Sequence, residues 1–434
     1  MHGPRARRLT DPLVAFGAPS QAAVRAAIAA RDAADPLSGF VDRFALPDTQ
    51  PPLVYFDGNS LGPQPRATAA VVEAELDRWR DRLIGGWNQH WLALGEQASD
   101  TVAHLIGAAA GTVRIAESTT VCLSKLAGAA LAAAPARPDV VSDRGNFPTD
   151  LYVLDAAARA AGGTLRLLAP APSASDVAGA LDDRVGLVAL SHVDFRSGAL
   201  LDLPGVTAAV RRAGARMLWD LSHSAGVVPV DLDASAVDLA VGCTYKYLHG
   251  GPGAPAYLYV QRDLADRLQT PIPGWFGHAS PFAMDTAYRP AAGVDRFLAG
   301  TPPVLSLAAV QPGLDLVADA GIPAIRAKST ALTALAIDLA DGWLAPFGVE
   351  VATPRDPARR GGHIALRHPE ARRITAMLTD VNVVGDFREP DIVRIGLSPL
   401  SLRFADVHDG FARFAAGMAD RAYERHGPDL GRVT

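Results

Sequence analysis

Between about residues 100 and 260 the chain alternates short apolar runs with helical segments. The runs Asp139 to Ser142, Val185 to Leu190, Arg216 to Asp220, Val237 to Val241 and Ala256 to Val260 are apolar at consecutive positions rather than at every second one. That pattern predicts strands buried on both faces. Val121 to Leu131 and Pro204 to Ala213 carry helical spacing between them. The alternation predicts an α/β fold, a mostly parallel sheet covered by helices on both sides. Ligands of such sheets sit outside the carboxyl ends of the strands.

The flanks read differently. Gln21 to Asp32 predicts a helix, and Arg66 to Leu83 an amphipathic one with Val71, Val72, Leu76, Trp79 and Leu83 on one stripe. Pro65 stands where a first-turn proline is tolerated. After about residue 305 two long helices are expected, Ser306 to Asp319 and Ile325 to Trp343, the second linking into a smaller domain. His363 to Arg367, Val381 to Val384 and Val393 to Gly396 predict short strands, and Pro354 to Gly362 an exposed loop. The expected division is a segment 1–54 packing with the small domain, a large domain 55–305 and a small α/β C-terminal domain 306–434.

Composition narrows the classes. The chain has 434 residues, 49% of them hydrophobic, enough for a large core. Lys and Arg number 41 against 46 Asp and Glu, and no basic block tracks a phosphate backbone, so nucleic acid is not an expected partner. No apolar run reaches the roughly 18 to 20 residues of a membrane span. The Arg-rich start, Arg5 to Arg8, lacks a following apolar region and is not read as a secretory signal. Cys122 and Cys243 make neither a disulfide framework nor a metal site, and a reduced cytoplasm is expected.

The candidate chemistry lies at strand ends. Asp220-Leu221-Ser222-His223 closes one apolar run, and Lys246 follows the next within Cys243-Thr244-Tyr245-Lys246-Tyr247-Leu248-His249-Gly250-Gly251. A lysine can form a Schiff base with an aldehyde, and an acid can keep a pyridinium nitrogen protonated. Together they suit pyridoxal phosphate (PLP). The plain alternatives are a helix cap for Asp220, a satisfied core histidine for His223 and a surface lysine for Lys246. Ser118-Thr119-Thr120 precedes a helix and suits a phosphate or an ordinary cap. In Asn146-Phe147-Pro148-Thr149-Asp150, Phe147 could stack on a flat ring and Asp150 bond to its polar groups, or the segment could be a turn with Phe147 in the core.

Taken together these segments resemble fold-type I PLP enzymes of the aminotransferase class V kind, and more narrowly the kynureninase family. The resemblance runs from about Tyr55 to Arg403. Its most specific blocks are Asp57-Gly58-Asn59-Ser60-Leu61-Gly62 and Gly274-Trp275-Phe276-Gly277-His278, beside Trp219-Asp220-Leu221-Ser222-His223, Tyr245-Lys246-Tyr247-Leu248 and Gly300-Thr301-Pro302-Pro303. The resemblance implies that Lys246 holds PLP as a Schiff base and later acts as a base, and that Asp220 pairs with the ring nitrogen beside His223. It implies Phe147 on the ring with Asp150 nearby, Thr119, Thr120 and Tyr245 toward the phosphate, and Ser191 in the pocket wall. Tyr245 would also lie on a proton path. Trp275 and Thr301 would complete the phosphate site from the other subunit of a homodimer. Arg394 would clamp the substrate α-carboxylate; a surface salt bridge is its plain alternative. Ser191 and Asp194-Phe195 stand where many relatives have Thr and Asn-Tyr. The implied activity is hydrolysis of L-kynurenine or 3-hydroxykynurenine to an anthranilate and L-alanine. A cysteine desulfurase or selenocysteine lyase, an aminotransferase and a non-catalytic descendant are the alternatives.

Overall fold

The continuous apolar runs are neighbouring strands of one sheet. The computed structural model describes residues 21–427, so Arg5 to Arg8 and the start of the N-terminal segment lie outside the described residues. Seven strands, β1 (Val113–Ala116), β2 (Asp139–Asp143), β3 (Leu165–Leu168), β4 (Val185–Ser191), β5 (Arg216–Asp220), β6 (Leu239–Gly242) and β7 (Ala256–Val260), stand in the order β1-β7-β6-β5-β4-β2-β3. Only β7 runs antiparallel to its neighbours. Every residue of β4, β6 and β7 is buried, which is why their sequences do not alternate. Leu187, Ala189 and Leu218 enter the core on one face, while Val188, Leu190, Met217 and Trp219 enter the core on the other. The register aligns Ser191 with Asp220 and Asp220 with Val241, so the strand ends that carry the candidate chemistry are level.

A second sheet has four antiparallel strands, β8 (Glu350–Val351), β9 (His363–Arg367), β10 (Asp386–Arg388) and β11 (Ile392–Gly396), ordered β8-β9-β11-β10. It shares a separate core with the helices Ala371–Asp380 and Phe404–Ala419. The N-terminal helix Gln21–Ala34 packs on Phe404–Ala419, and Val54–Tyr55 pairs in parallel with Val383–Val384. The helix Val304–Ala320 contributes Leu307, Val310, Leu314 and Val317 to the large-sheet core. Within the next helix, Ile322–Leu339, Ile325 belongs to that core and Leu332 to the small one. We therefore put the boundary between the units inside this helix, later than residue 306.

The structure completes one local expectation and corrects another. The helix Ala67–Arg82 forms, but its apolar stripe is not buried: Leu76, Trp79 and Leu83 are 45%, 56% and 64% exposed. The inward position belongs to Glu75, which accepts from Trp91 Nε1 at 2.8 Å and pairs with Arg78 and His90. Polar contacts orient this helix and leave its apolar face outward. The loop Pro354 to Gly362 is only partly exposed. Arg360 is buried and donates through Nε to Thr333 Oγ1 at 3.0 Å, because the loop closes over the Ile322–Leu339 helix.

Candidate active site

Nine of the twelve residues singled out from the sequence line a single cavity of about 150 Å³ at the carboxyl ends of β4 to β6. They are Thr119, Thr120, Phe147, Asp150, Ser191, Asp220, His223, Tyr245 and Lys246. A larger cleft of about 1250 Å³ opens elsewhere and contains none of them. The cleft is bigger, but the titratable groups converge in the smaller cavity.

The lysine loop leaves β6 and turns back under Gly62. Gly62 N–H donates to the Tyr245 carbonyl at 2.8 Å, and a Cβ on Gly62 would collide with the Lys246 carbonyl. This close approach explains a glycine at the end of Asp57 to Gly62. Lys246 Nζ lies 2.9 Å from His223 Nε2. Burial, then the Lys246 charge, holds His223 well below the usual histidine value. A neutral imidazole accepting at Nε2 fits that contact. Tyr245 is half-buried, and the neighbouring Cys243 with burial and Asp220 raises its phenol above the usual value, so it stays a donor.

Two carboxyl groups face the same space. Asp220 Oδ1 accepts the Ser222 N–H at 2.8 Å. Asp150 is pushed well above the ordinary carboxylate value by burial and then by the charge of neighbouring Asp220. Two buried carboxyl groups in contact share a proton or need a cationic partner. A pyridinium N–H is such a partner. The first turn of the helix Thr119–Ala132 lines the cavity too, with Ser118 capping it at 3.4 Å from Val121 N. Ser118 is therefore a cap and a cavity residue at once, and free N–H groups of a first turn suit a phosphate. Phe147 is 41% exposed rather than in the core. Ser191 Oγ donates to Asn146 Oδ1 at 2.8 Å, fixing the turn that presents it. Anion site, proton-holding carboxyl pair, aromatic face and primary amine in one cavity match the phosphate, ring nitrogen, ring and aldehyde of PLP.

Three expected residues do not line this cavity. Arg394 on β11 is buried, and its Nη1 donates to the Phe195 carbonyl at 2.7 Å. The Phe195 ring forms part of the cavity wall and meets Phe147 edge-on at 5.3 Å. Arg394 thus sits one residue behind the wall, in contact with Asp386 and not in a surface salt bridge. Trp275 packs on Phe276 and Phe282, with centroids 4.4 and 5.5 Å away, and Thr301 is exposed. Both lie away from the cavity of their own chain.

Comparison with known proteins decides the family. The family described as Aminotransferase class-V matches residues 54–367, and Kynureninase C-terminal domain matches residues 325–414. Kynureninase of Burkholderia pseudomallei (strain 1106a) is 44% identical over 388 residues, covering 88% of this chain and 92% of that protein. The chain belongs to the kynureninase family. Kynureninase of Pseudomonas fluorescens is 41% identical over the same shares. Among solved structures, a cysteine desulfurase from Thermococcus onnurineus NA1 superposes with a TM-score of 0.74 at 18% identity, covering 85% of this chain and 95% of that one. C-DES with glycine covalently linked to its PLP cofactor superposes equally well at 20% identity, covering 84% and 96%. The fold is that of PLP-dependent class V enzymes.

Within this kynureninase-family site, sequence reasoning gave no role to Phe195 and Ser222 in the cavity wall, nor to the buried Asp57, His363 and Asp386 and the partly buried Ser60 around Arg394. Asp57 and Ser60 stood inside a quoted block, which was a signal of place without a signal of role. His363 lies 5.4 Å from His223, ring to ring.

Proposed function

We propose that this chain hydrolyses the Cβ–Cγ bond of L-kynurenine, or of 3-hydroxykynurenine, to give anthranilate or its 3-hydroxy form and L-alanine, a step of tryptophan catabolism. The carrying observation is the convergence of Lys246, Asp220, Asp150 and a helix N-terminus on one cavity of a kynureninase-family chain. PLP, when bound, supplies an electron sink for bonds next to the substrate nitrogen. Asp220 would accept from its ring nitrogen, with Asp150 and His223 beside it. Phe147 would cover the ring, and Ser191 lines the wall. Thr119, Thr120 and Tyr245 would hold the phosphate, and Trp275 and Thr301 of the partner subunit would complete that site. The outward apolar stripe Leu76, Trp79, Leu83, together with Ile84, supports a homodimer.

The residues then divide the labour. Lys246 Nζ would anchor the cofactor and, when free, would serve as general base for the substrate Cα proton. His223 Nε2, neutral and 2.9 Å away, steers that amine. Arg394 binds the α-carboxylate as a planar donor. A water adds to the γ-carbonyl, the Cβ–Cγ bond breaks, and Tyr245, held protonated, returns a proton toward Cβ. A desulfurase needs a mobile cysteine nucleophile; Cys122 and Cys243 are both buried here. The test is purified holoenzyme with L-kynurenine, read by anthranilate fluorescence. Absence of anthranilate together with production of alanine from cysteine, and of sulfide once an added thiol reduces the persulfide, would replace this reading with the desulfurase one.

A further inference from the structure

Arg394 is held by an acid on the neighbouring strand. Asp386 and Arg394 are direct partners across β10 and β11, so their side chains leave the same face of the small sheet. They are 0% and 1% exposed. Arg394 Nη2 contacts Asp386 Oδ2 and donates to Ser60 Oγ at 2.6 Å. The same Asp386 oxygen receives Arg388 Nη2 at 2.7 Å, and the Ser60 hydroxyl at 3.3 Å. An oxygen shared by two guanidinium groups and a hydroxyl is anchored; it is not a carboxylate free to swing away. With Nη1 on the Phe195 carbonyl, three chain segments fix the guanidinium plane, and Nε has no hydrogen-bond partner among the described residues.

A carboxylate clamp works only if its fork is already aimed, because a swinging arginine loses side-chain entropy on every binding event. We propose that Asp386 is the positioning residue for the substrate-carboxylate site: it anchors Arg394 so that the guanidinium meets the α-carboxylate in a preset orientation. The proposal rests on the reading of Arg394 as the carboxylate clamp. A merely structural Asp386, present to offset a buried arginine, would also lower stability when removed. It would not move substrate affinity apart from turnover.

The test is Asp386→Asn as PLP-loaded holoenzyme, with steady-state L-kynurenine kinetics and L-alanine binding read from the cofactor spectrum. The amide keeps the size of the side chain and removes its charge. The expected result is a KM and an L-alanine Kd raised by about tenfold, with kcat within about threefold of the parent. An unchanged KM, or a kcat loss without a KM rise, overturns the proposal. Arg394→Gln separates the two ideas. If it leaves KM unchanged, the clamp reading fails and this proposal with it. If it raises KM while Asp386→Asn does not, only the positioning role fails. Should Asp386→Asn not fold, Arg388→Gln removes one anchor of Asp386 at a partly exposed site. A KM rise of about threefold there supports the proposal, and an unchanged KM overturns it.

Discussion

Substrate affinity should depend on pH through Asp57, and the structure sets sign and size. Asp57 is bridged to Gly396 at the end of β11, is 6% exposed, and its Oδ1 lies 4.0 Å from Arg394 Nη2 without a hydrogen bond. Burial, then the Asp386 charge, raises its pKa to about 7, against the opposing pull of Ser60, Arg394 and Arg388. The other titrating neighbours keep one state around that pH. Tyr55 and Tyr247 are pushed upward and stay protonated, and His363 is held well below its usual value and stays neutral. Below about pH 7, then, Asp57 is neutral and the two guanidinium groups exceed the Asp386 carboxylate by one charge, which favours an incoming carboxylate. Above it, ionised Asp57 cancels that excess. Two unit charges 4 Å apart interact by about 4 kcal/mol at an effective dielectric constant near 20. The substrate carboxylate is farther from Asp57 than the guanidinium is, so about a third of that, roughly 1.4 kcal/mol or tenfold, should reach KM. The assay is KM for L-kynurenine in the parent and in Asp57→Asn from about pH 6 to about pH 8.5. Taking the ratio of the two cancels titration of the substrate amine. The ratio of parent to variant should climb about tenfold across this range. A flat ratio would refute the reasoning.

Four further outcomes follow from contacts already described. Lys246→Ala should abolish turnover and the Schiff-base absorbance of the PLP-loaded protein; a variant with full activity would sink the catalytic scheme. Lys125 is fully buried, with Nζ 2.7 Å from Glu117 and 2.7 Å from the Phe297 carbonyl. Because Glu117 is partly exposed and can rehydrate, Lys125→Met should cost about 2 kcal/mol, seen as a lower urea midpoint. Phe147→Ala should weaken PLP binding about tenfold in an equilibrium dialysis series, through loss of roughly 1 to 1.5 kcal/mol of ring contact. Ile84→Glu, on the outward stripe at 81% exposure, should shift sedimentation equilibrium to monomer and remove activity at the same time; an active monomer would contradict the shared phosphate site.

The large domain was legible because its strands are covered on both faces, and continuous apolar sequence is the direct result of that burial. The cavity was legible where its residues follow those strands, as with Asp220 and Lys246, while Ser191 came from resemblance. Asp386 escaped notice for a physical reason. Its strand is three residues long and is followed by Glu389-Pro390, so no period announces it, and its importance comes from facing Arg394 eight positions later. The acid opposite an arginine across a tight hairpin was the available signal. The stripe of Ala67–Arg82 was legible as apolar, but not as facing outward. Periodicity tells which face is apolar and not which neighbour covers it. Trp275 and Thr301 were reached by resemblance alone, since nothing within one chain brings them to the cavity.

The six residues Asp57 to Gly62 touch both the lysine loop and the surroundings of Arg394. At one end Gly62 seats the carbonyl side of the lysine loop, and at the other Asp57 bridges Gly396 while Ser60 holds Arg394. Under the proposed roles of Lys246 and Arg394, the block is a ruler between the amine anchor and the carboxylate anchor of an α-amino acid head. Redesign of the acyl group can proceed through other walls of the cavity, but an insertion or deletion within these six residues would change which class of backbone the site measures.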